Sequence, residues 1–86
     1  MLQIIFEPNA INELIEWHTV NYKIALKILK LRKECSKTPF EGTCKPEPLK
    51  YNLKNYWSRR ITEGDRLIYK TTDKEIIILS CKGHYI

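Results

Sequence analysis

Apolar and polar positions change period along the chain, and the changes mark its elements. Leu2 to Phe6 is a short, mostly apolar run that reads as a strand. Glu7-Pro8-Asn9 marks a helix start, because proline and asparagine suit the first turn and the cap. Ile11, Leu14, Ile15 and His18 then recur at i, i+3, i+4 and i+7, one apolar face of a short helix. From Tyr22 to Ser36 a second helix carries Ile24, Ala25, Ile28, Leu29 and Leu31 as its buried stripe. Lys23, Lys27, Lys30 and Lys37 line its other side, and Thr38-Pro39 ends it.

Beyond the proline-rich segment the period falls to two. Tyr51-Asn52-Leu53 reads as a short strand, followed by a tight turn at Lys54-Asn55. Tyr56 to Thr62, Arg66 to Thr72 and Glu75 to Cys81 are strands, separated by turns at Glu63-Gly64 and Asp73-Lys74. The order is strand, two helices, then an antiparallel meander. It predicts an α+β, two-layer fold with both helices on one sheet face, as one domain over residues 1–86.

Charge is distributed unevenly. The chain carries a formal +5, but Lys23 to Arg66 holds twelve basic and five acidic residues, while Met1 to Tyr22 holds three acidic and no basic ones. A basic middle fits a polyanionic partner, or an acidic protein that competes with one; the alternative is ordinary solubilising charge. Cys35, Cys44 and Cys81 form an odd set without a C-x-x-C pair, which points away from a disulfide framework and toward a reducing, cytoplasmic setting. Cys81 and His84 make a lone C-x-x-H with no second ligand pair, so no metal or cofactor is expected. The sequence offers neither a signal-peptide pattern nor a membrane-length apolar run, so no membrane partner is expected.

Candidate chemistry gathers around Glu47. It stands between Pro46 and Pro48 and is flanked by Lys45 and Lys50. Each proline fixes its own backbone and drives the preceding residue toward an extended conformation, so the carboxylate is held in one direction. Strand alternation separates Tyr56, Ser58, Arg60 and Thr62 from Trp57, Arg59 and Ile61. A turn centred on Glu63 sets Arg60 opposite Arg66. Like charges so opposed are destabilising unless an anion lies between them, or unless they splay into water or pair with Glu63 and Asp65. His84, beyond the last strand, can exchange a proton near neutrality. Together Glu47, Arg60, Arg66 and His84 form a set able to cleave RNA through its own 2′-hydroxyl: base, cations and acid.

The segments Thr38-Pro39-Phe40-Glu41-Gly42, Lys45-Pro46-Glu47-Pro48-Leu49-Lys50, Trp57-Ser58-Arg59-Arg60-Ile61-Thr62, Arg66-Leu67 and His84-Tyr85 closely resemble the YoeB/Txe toxins of the RelE/ParE superfamily. That resemblance implies a RelE-like fold and a ribosome-dependent mRNA interferase of a type II toxin–antitoxin system. It implies three partners, the ribosome, its mRNA and a cognate antitoxin of the YefM/Axe kind, and it leaves homodimer formation open. By position, Glu47 matches the general base, His84 the general acid and Arg66 the residue that stabilises the transition state. Lys50 and Arg60 match substrate-binding or charge-stabilising positions, and Tyr85 matches the residue that helps place the nucleotide. Ile86, after the His-Tyr pair, and Gly83, where relatives often carry a bulkier residue, depart from the pattern. The competing reading is a basic ribosome- or RNA-binding protein without catalysis, which would need neither Glu47 nor His84.

Overall fold

A computed structural model describes residues 1–83. Strand β1 (Gln3–Phe6) leads into helix α1 (Pro8–Val20), and helix α2 (Tyr22–Lys37) follows after a single residue, Asn21. Four strands come next: β2 (Glu47–Pro48), β3 (Trp57–Arg60), β4 (Arg66–Thr71) and β5 (Glu75–Ser80). They form one five-stranded sheet in the order β1-β5-β4-β3-β2. The expected meander is present in β3, β4 and β5, with β2 antiparallel to β3 at its edge. The first strand makes the sheet mixed, since β1 runs parallel to β5 with Gln3 opposite Glu75 and Phe6 opposite Ile78.

Both helices lie on one face of the sheet. Their buried residues Ala10, Trp17, Ala25, Ile28, Leu31 and Cys35 join Ile61, Leu67, Tyr69, Ile76 and Ile78 in a single core. Alternation along β3 and β4 therefore assigns Trp57, Arg59, Leu67 and Tyr69 to the helix side and Ser58, Arg60, Arg66 and Ile68 to the other.

Two expectations need correction. The inward face of α1 is built on Ala10, Leu14 and Trp17, not on Ile11, Leu14, Ile15 and His18; Ile11 and Ile15 are 45% and 60% exposed. Trp17 decides the rotation, because burying its ring also lets its Nε1–H donate to the Cys81 carbonyl at 2.9 Å. His18 is exposed in the last helical turn. Tyr51-Asn52-Leu53 is a short 3-10 turn, not a strand, since Tyr51 adopts φ 58° and cannot continue an extended ladder. Lys27 keeps its exposed place in the lysine row of α2, and its Nζ donates to the Ile61 carbonyl at 2.6 Å.

Candidate active site

Glu47 sits on an edge strand only two residues long. Its register partner is Ser58, and Pro48 faces Trp57. An edge is where a strand tolerates proline, which has no N–H to give to a neighbour. The strand is fixed at both ends: Arg60 N donates to the Cys44 carbonyl at 2.7 Å, and Leu49 N to the Tyr56 carbonyl at 2.9 Å. Leu49 is buried, whereas Glu47, Pro48 and Lys50 are exposed. The backbone of Glu47 is thus held in the ladder while its side chain stays open to solvent.

The β3–β4 hairpin has the anticipated register, with Arg60 opposite Arg66. On the same sheet face, Glu47 is diagonal to Arg60, two residues along from its partner Ser58. Such diagonal neighbours have side-chain origins about 7–8 Å apart, within reach of a long guanidinium arm. The two arginines avoid mutual repulsion by an unequal arrangement. Arg60 is exposed, while Arg66 folds back so that its Nη1 donates to the carbonyls of Thr62 (3.2 Å), Asp65 (3.2 Å) and Glu63 (3.4 Å). The turn between them is closed by Ile61 N donating to the Asp65 carbonyl at 3.0 Å and by Thr62 Oγ1 donating to Asp65 Oδ2 at 2.6 Å.

The chain after β5 is drawn toward Arg66. Gly83 N donates to Asp65 Oδ1 at 2.7 Å, and Arg66 N donates to the Gly83 carbonyl at 3.1 Å. Gly83 adopts φ 82°, a conformation that glycine takes without strain. Two residues earlier, Cys81 N donates to Glu13 Oε1 at 2.8 Å. The expected site residues His84 and Tyr85 lie outside the described residues. Of the others, the sheet gathers Glu47, Arg60 and Arg66 on one face, and Lys50 stands three residues beyond Glu47, at the start of the 3-10 turn. A cleft of about 360 Å³ is lined by Glu47, Lys50 and Tyr51 among others.

The residue that sequence reasoning passed over is Arg59. It is fully buried on the helix side of the sheet. Its Nε donates to Tyr69 Oη at 3.1 Å, its Nη1 pairs with the Glu34 carboxylate, and its Nη2 donates to the carbonyls of Thr38 and, at 2.9 Å, Glu41. Tyr69 Oη donates in turn to the Pro39 carbonyl at 2.6 Å. Glu34 also accepts from Thr43 N at 2.8 Å. One guanidinium therefore ties the loop from Thr38 to Thr43, which leads directly to Glu47, onto α2, β3 and β4. Burial alone would raise the Glu34 pKa, but the hydrogen bonds from Thr43, together with Arg59, outweigh it and hold the carboxyl below its usual 4.5. Burial pushes the Tyr69 phenol up to about 12, so it remains a proton donor to Pro39 across the neutral range. The signal for Arg59 was its inward position between Trp57 and Ile61, where a cation has to find partners.

The comparisons with known proteins agree with this fold. The profile of the family described as "YoeB-like toxin of bacterial type II toxin-antitoxin system" matches residues 6–85. Toxin YoeB of Escherichia coli strain K12 is 43% identical over 84 residues, covering 98% of this chain and 100% of that protein. The YoeB dimer from Staphylococcus aureus superposes with a TM-score of 0.89 at 41% identity, covering 98% of each chain. The toxin of the YoeB–YefM complex from the same species gives a TM-score of 0.87 at 42% identity, covering 99% of each chain. A mixed sheet backed by two helices, a Glu-Arg-Arg face at its β2 end and these matches over nearly the whole length lead to one assignment: the chain belongs to the YoeB family and is a toxin of the bacterial type II toxin–antitoxin class.

Proposed function

We propose that this toxin is a ribosome-dependent endoribonuclease that cuts mRNA in the ribosomal A site and so inhibits translation in the cytoplasm. The reading rests on one observation: Glu47, Arg60 and Arg66 share the helix-free face of three adjacent strands. Glu47 takes the proton from a 2′-hydroxyl, whose oxygen attacks the adjacent phosphorus. The phosphorus–O5′ bond breaks, and the departing oxygen receives a proton from His84. Arg66 and Arg60 stabilise the charge that builds on the phosphoryl oxygens, because guanidinium groups match them in geometry and sign. Lys50 holds the RNA backbone and Tyr85 places the nucleotide. The products are a 2′,3′-cyclic phosphate and a 5′-hydroxyl end, and this sequence of proton transfers needs no cofactor.

The need for a ribosome follows from how open the site is. Glu47, Lys50 and Arg60 are exposed, and alignment for in-line attack can be worth about 7–11 kcal/mol. An open edge strand cannot bend a flexible RNA that far, whereas the A site presents the codon already shaped. Control of the toxin then falls to an antitoxin of the YefM kind, as in the S. aureus complex, and self-association follows the precedent of the S. aureus dimer. The test is cleavage of one message, translated and naked, by wild type and Glu47→Ala. Cutting confined to the translated message and lost in Glu47→Ala is expected. Equal cutting of naked RNA would overturn the ribosome requirement, and an active Glu47→Ala would overturn the base assignment.

A further inference from the structure

Among the described residues, Tyr51 is the most exposed of the large apolar side chains, at 91%. Among the described residues its ring makes no aromatic or cation–π contact. Its backbone is nonetheless held at φ 58°, in the left-handed region that a bulky side chain occupies only at a cost in free energy. The segment around it is tightly fixed. Leu53 N donates to the Lys50 carbonyl (3.1 Å), Lys54 N to the Tyr51 carbonyl (3.0 Å) and Tyr56 N to the Leu53 carbonyl (3.0 Å). Burial of Leu49 anchors its start. Strain of this kind persists where the surrounding structure imposes it, and here no packing of the ring offsets it.

The position of the ring gives it a use. Tyr51 lines the same cleft of about 360 Å³ as Glu47 and Lys50, and exposed Lys54 stands three residues further on. A rigidly presented aromatic face with an exposed lysine on either side in the chain matches single-stranded nucleic acid, whose bases stack while its phosphates are neutralised. An acidic protein segment would use the lysines, but it has no need of an open aromatic face. We infer that Tyr51 is a stacking platform for an unpaired RNA base beside the Glu47 site, supplied by the mRNA codon or by a ribosomal RNA strand near it. This rests on the proposed RNA-cleaving function and adds a positioning residue to it.

The test separates binding from cleavage. In a Glu47→Ala background, affinity for ribosomes programmed with a defined message is measured with Tyr51, Tyr51→Phe, Tyr51→Ala and Tyr51→Asn. Alanine and asparagine should weaken binding roughly 5- to 150-fold, the range seen when one base–aromatic stack is removed, and phenylalanine should restore it. The same ratios should appear in kcat/KM for cleavage when Glu47 is intact. Asparagine tolerates the left-handed conformation, so Tyr51→Asn should melt at or above the wild-type temperature, which separates lost stacking from lost folding. A message lacking the base at one codon position distinguishes the two sources. If that change erases the difference between Tyr51 and Tyr51→Ala, the platform holds the codon; if the difference persists at every position, it holds ribosomal RNA. Equal binding by Tyr51→Ala and wild type overturns the inference, as does a defect confined to antitoxin affinity. Intact, Tyr51-dependent binding without cleavage would instead refute the nuclease reading and leave the platform standing.

Discussion

Replacing Arg59 by methionine keeps most of the side-chain volume and removes the charge and every hydrogen bond it donates. The Glu34 carboxylate is left without its cation, and the carbonyls of Thr38 and Glu41 and the hydroxyl of Tyr69 lose a donor. Removing one member of a buried ion pair costs about 3–5 kcal/mol. Two features favour the lower end of that range: the Glu34 side chain is 32% exposed, and it keeps its bonds from Thr43. A loss of about 3 kcal/mol is a large share of the ~4–13 kcal/mol expected of a chain this size. It should lower the melting temperature by roughly 12–24 °C, at about 4–8 °C per kcal/mol. Urea unfolding of wild type, Arg59→Met, Glu34→Gln and the double variant measures it. The double variant should recover part of the loss, because it leaves no unpaired carboxylate. Since the Glu34 pKa is depressed in the fold, its stabilising effect is present above the unfolded value and lost as pH falls through the folded one. Arg59→Met should therefore flatten the acid limb of the stability profile in part, since the bonds from Thr43 to Glu34 remain. A loss under about 1 kcal/mol, with the acid limb unchanged, would refute this account of the loop.

Two further outcomes follow from the same region and from the thiols. An added methyl at Gly42, where φ is 121°, would lie 2.5 Å from Glu34 Oε2 and 3.3 Å from Arg59 Nη1. Gly42→Ala should lose roughly 1–3 kcal/mol in a denaturant titration, whereas Gly64→Ala, with nothing within 4 Å, should stay within about 0.5 kcal/mol. Burial pushes the thiols of Cys35 and Cys81 up to about 11 and about 12, while Cys44 is half-buried. A disulfide reagent at pH 8 should label Cys44 alone in the folded toxin and all three thiols in urea; rapid labelling of Cys35 or Cys81 would contradict the packing. Because both of these pKa values are raised in the fold, the stability they contribute is complete below the ordinary thiol value of 9.0 and declines as pH rises toward 11–12.

The parts of the fold legible in the sequence were those governed by local rules. Turn chemistry at Glu63-Gly64 set the Arg60–Arg66 register, and the prolines around Glu47 announced extended backbone there, found as the edge strand β2. What local rules could not show was distant pairing. The parallel β1–β5 ladder joins residues about seventy positions apart, and no turn signals it. The inward face of α1 was misread because Ile11 and Ile15 are more apolar than Ala10 and Trp17, yet tertiary packing around Trp17 set the rotation. Strand propensity at Tyr51 was outweighed by the tight backbone bonds that follow it. Arg59 was hidden for a different reason: its partners lie on α2, the following loop and β4, and strand alternation shows the side but not the company.

The central claim is that the Glu47 face activates a 2′-hydroxyl on ribosome-bound mRNA. The most direct measurement places a single 2′-deoxy nucleotide at the cleavage position of a programmed message and follows cutting by the wild-type toxin, with end-group analysis of the unmodified message. The account predicts that the deoxy substitution abolishes cleavage at that bond, and that the unmodified message yields a 2′,3′-cyclic phosphate and a 5′-hydroxyl. Undiminished cleavage of the deoxy message, or a 5′-phosphate end, would show that water and not the 2′-oxygen is the nucleophile, and would contradict the role given to Glu47.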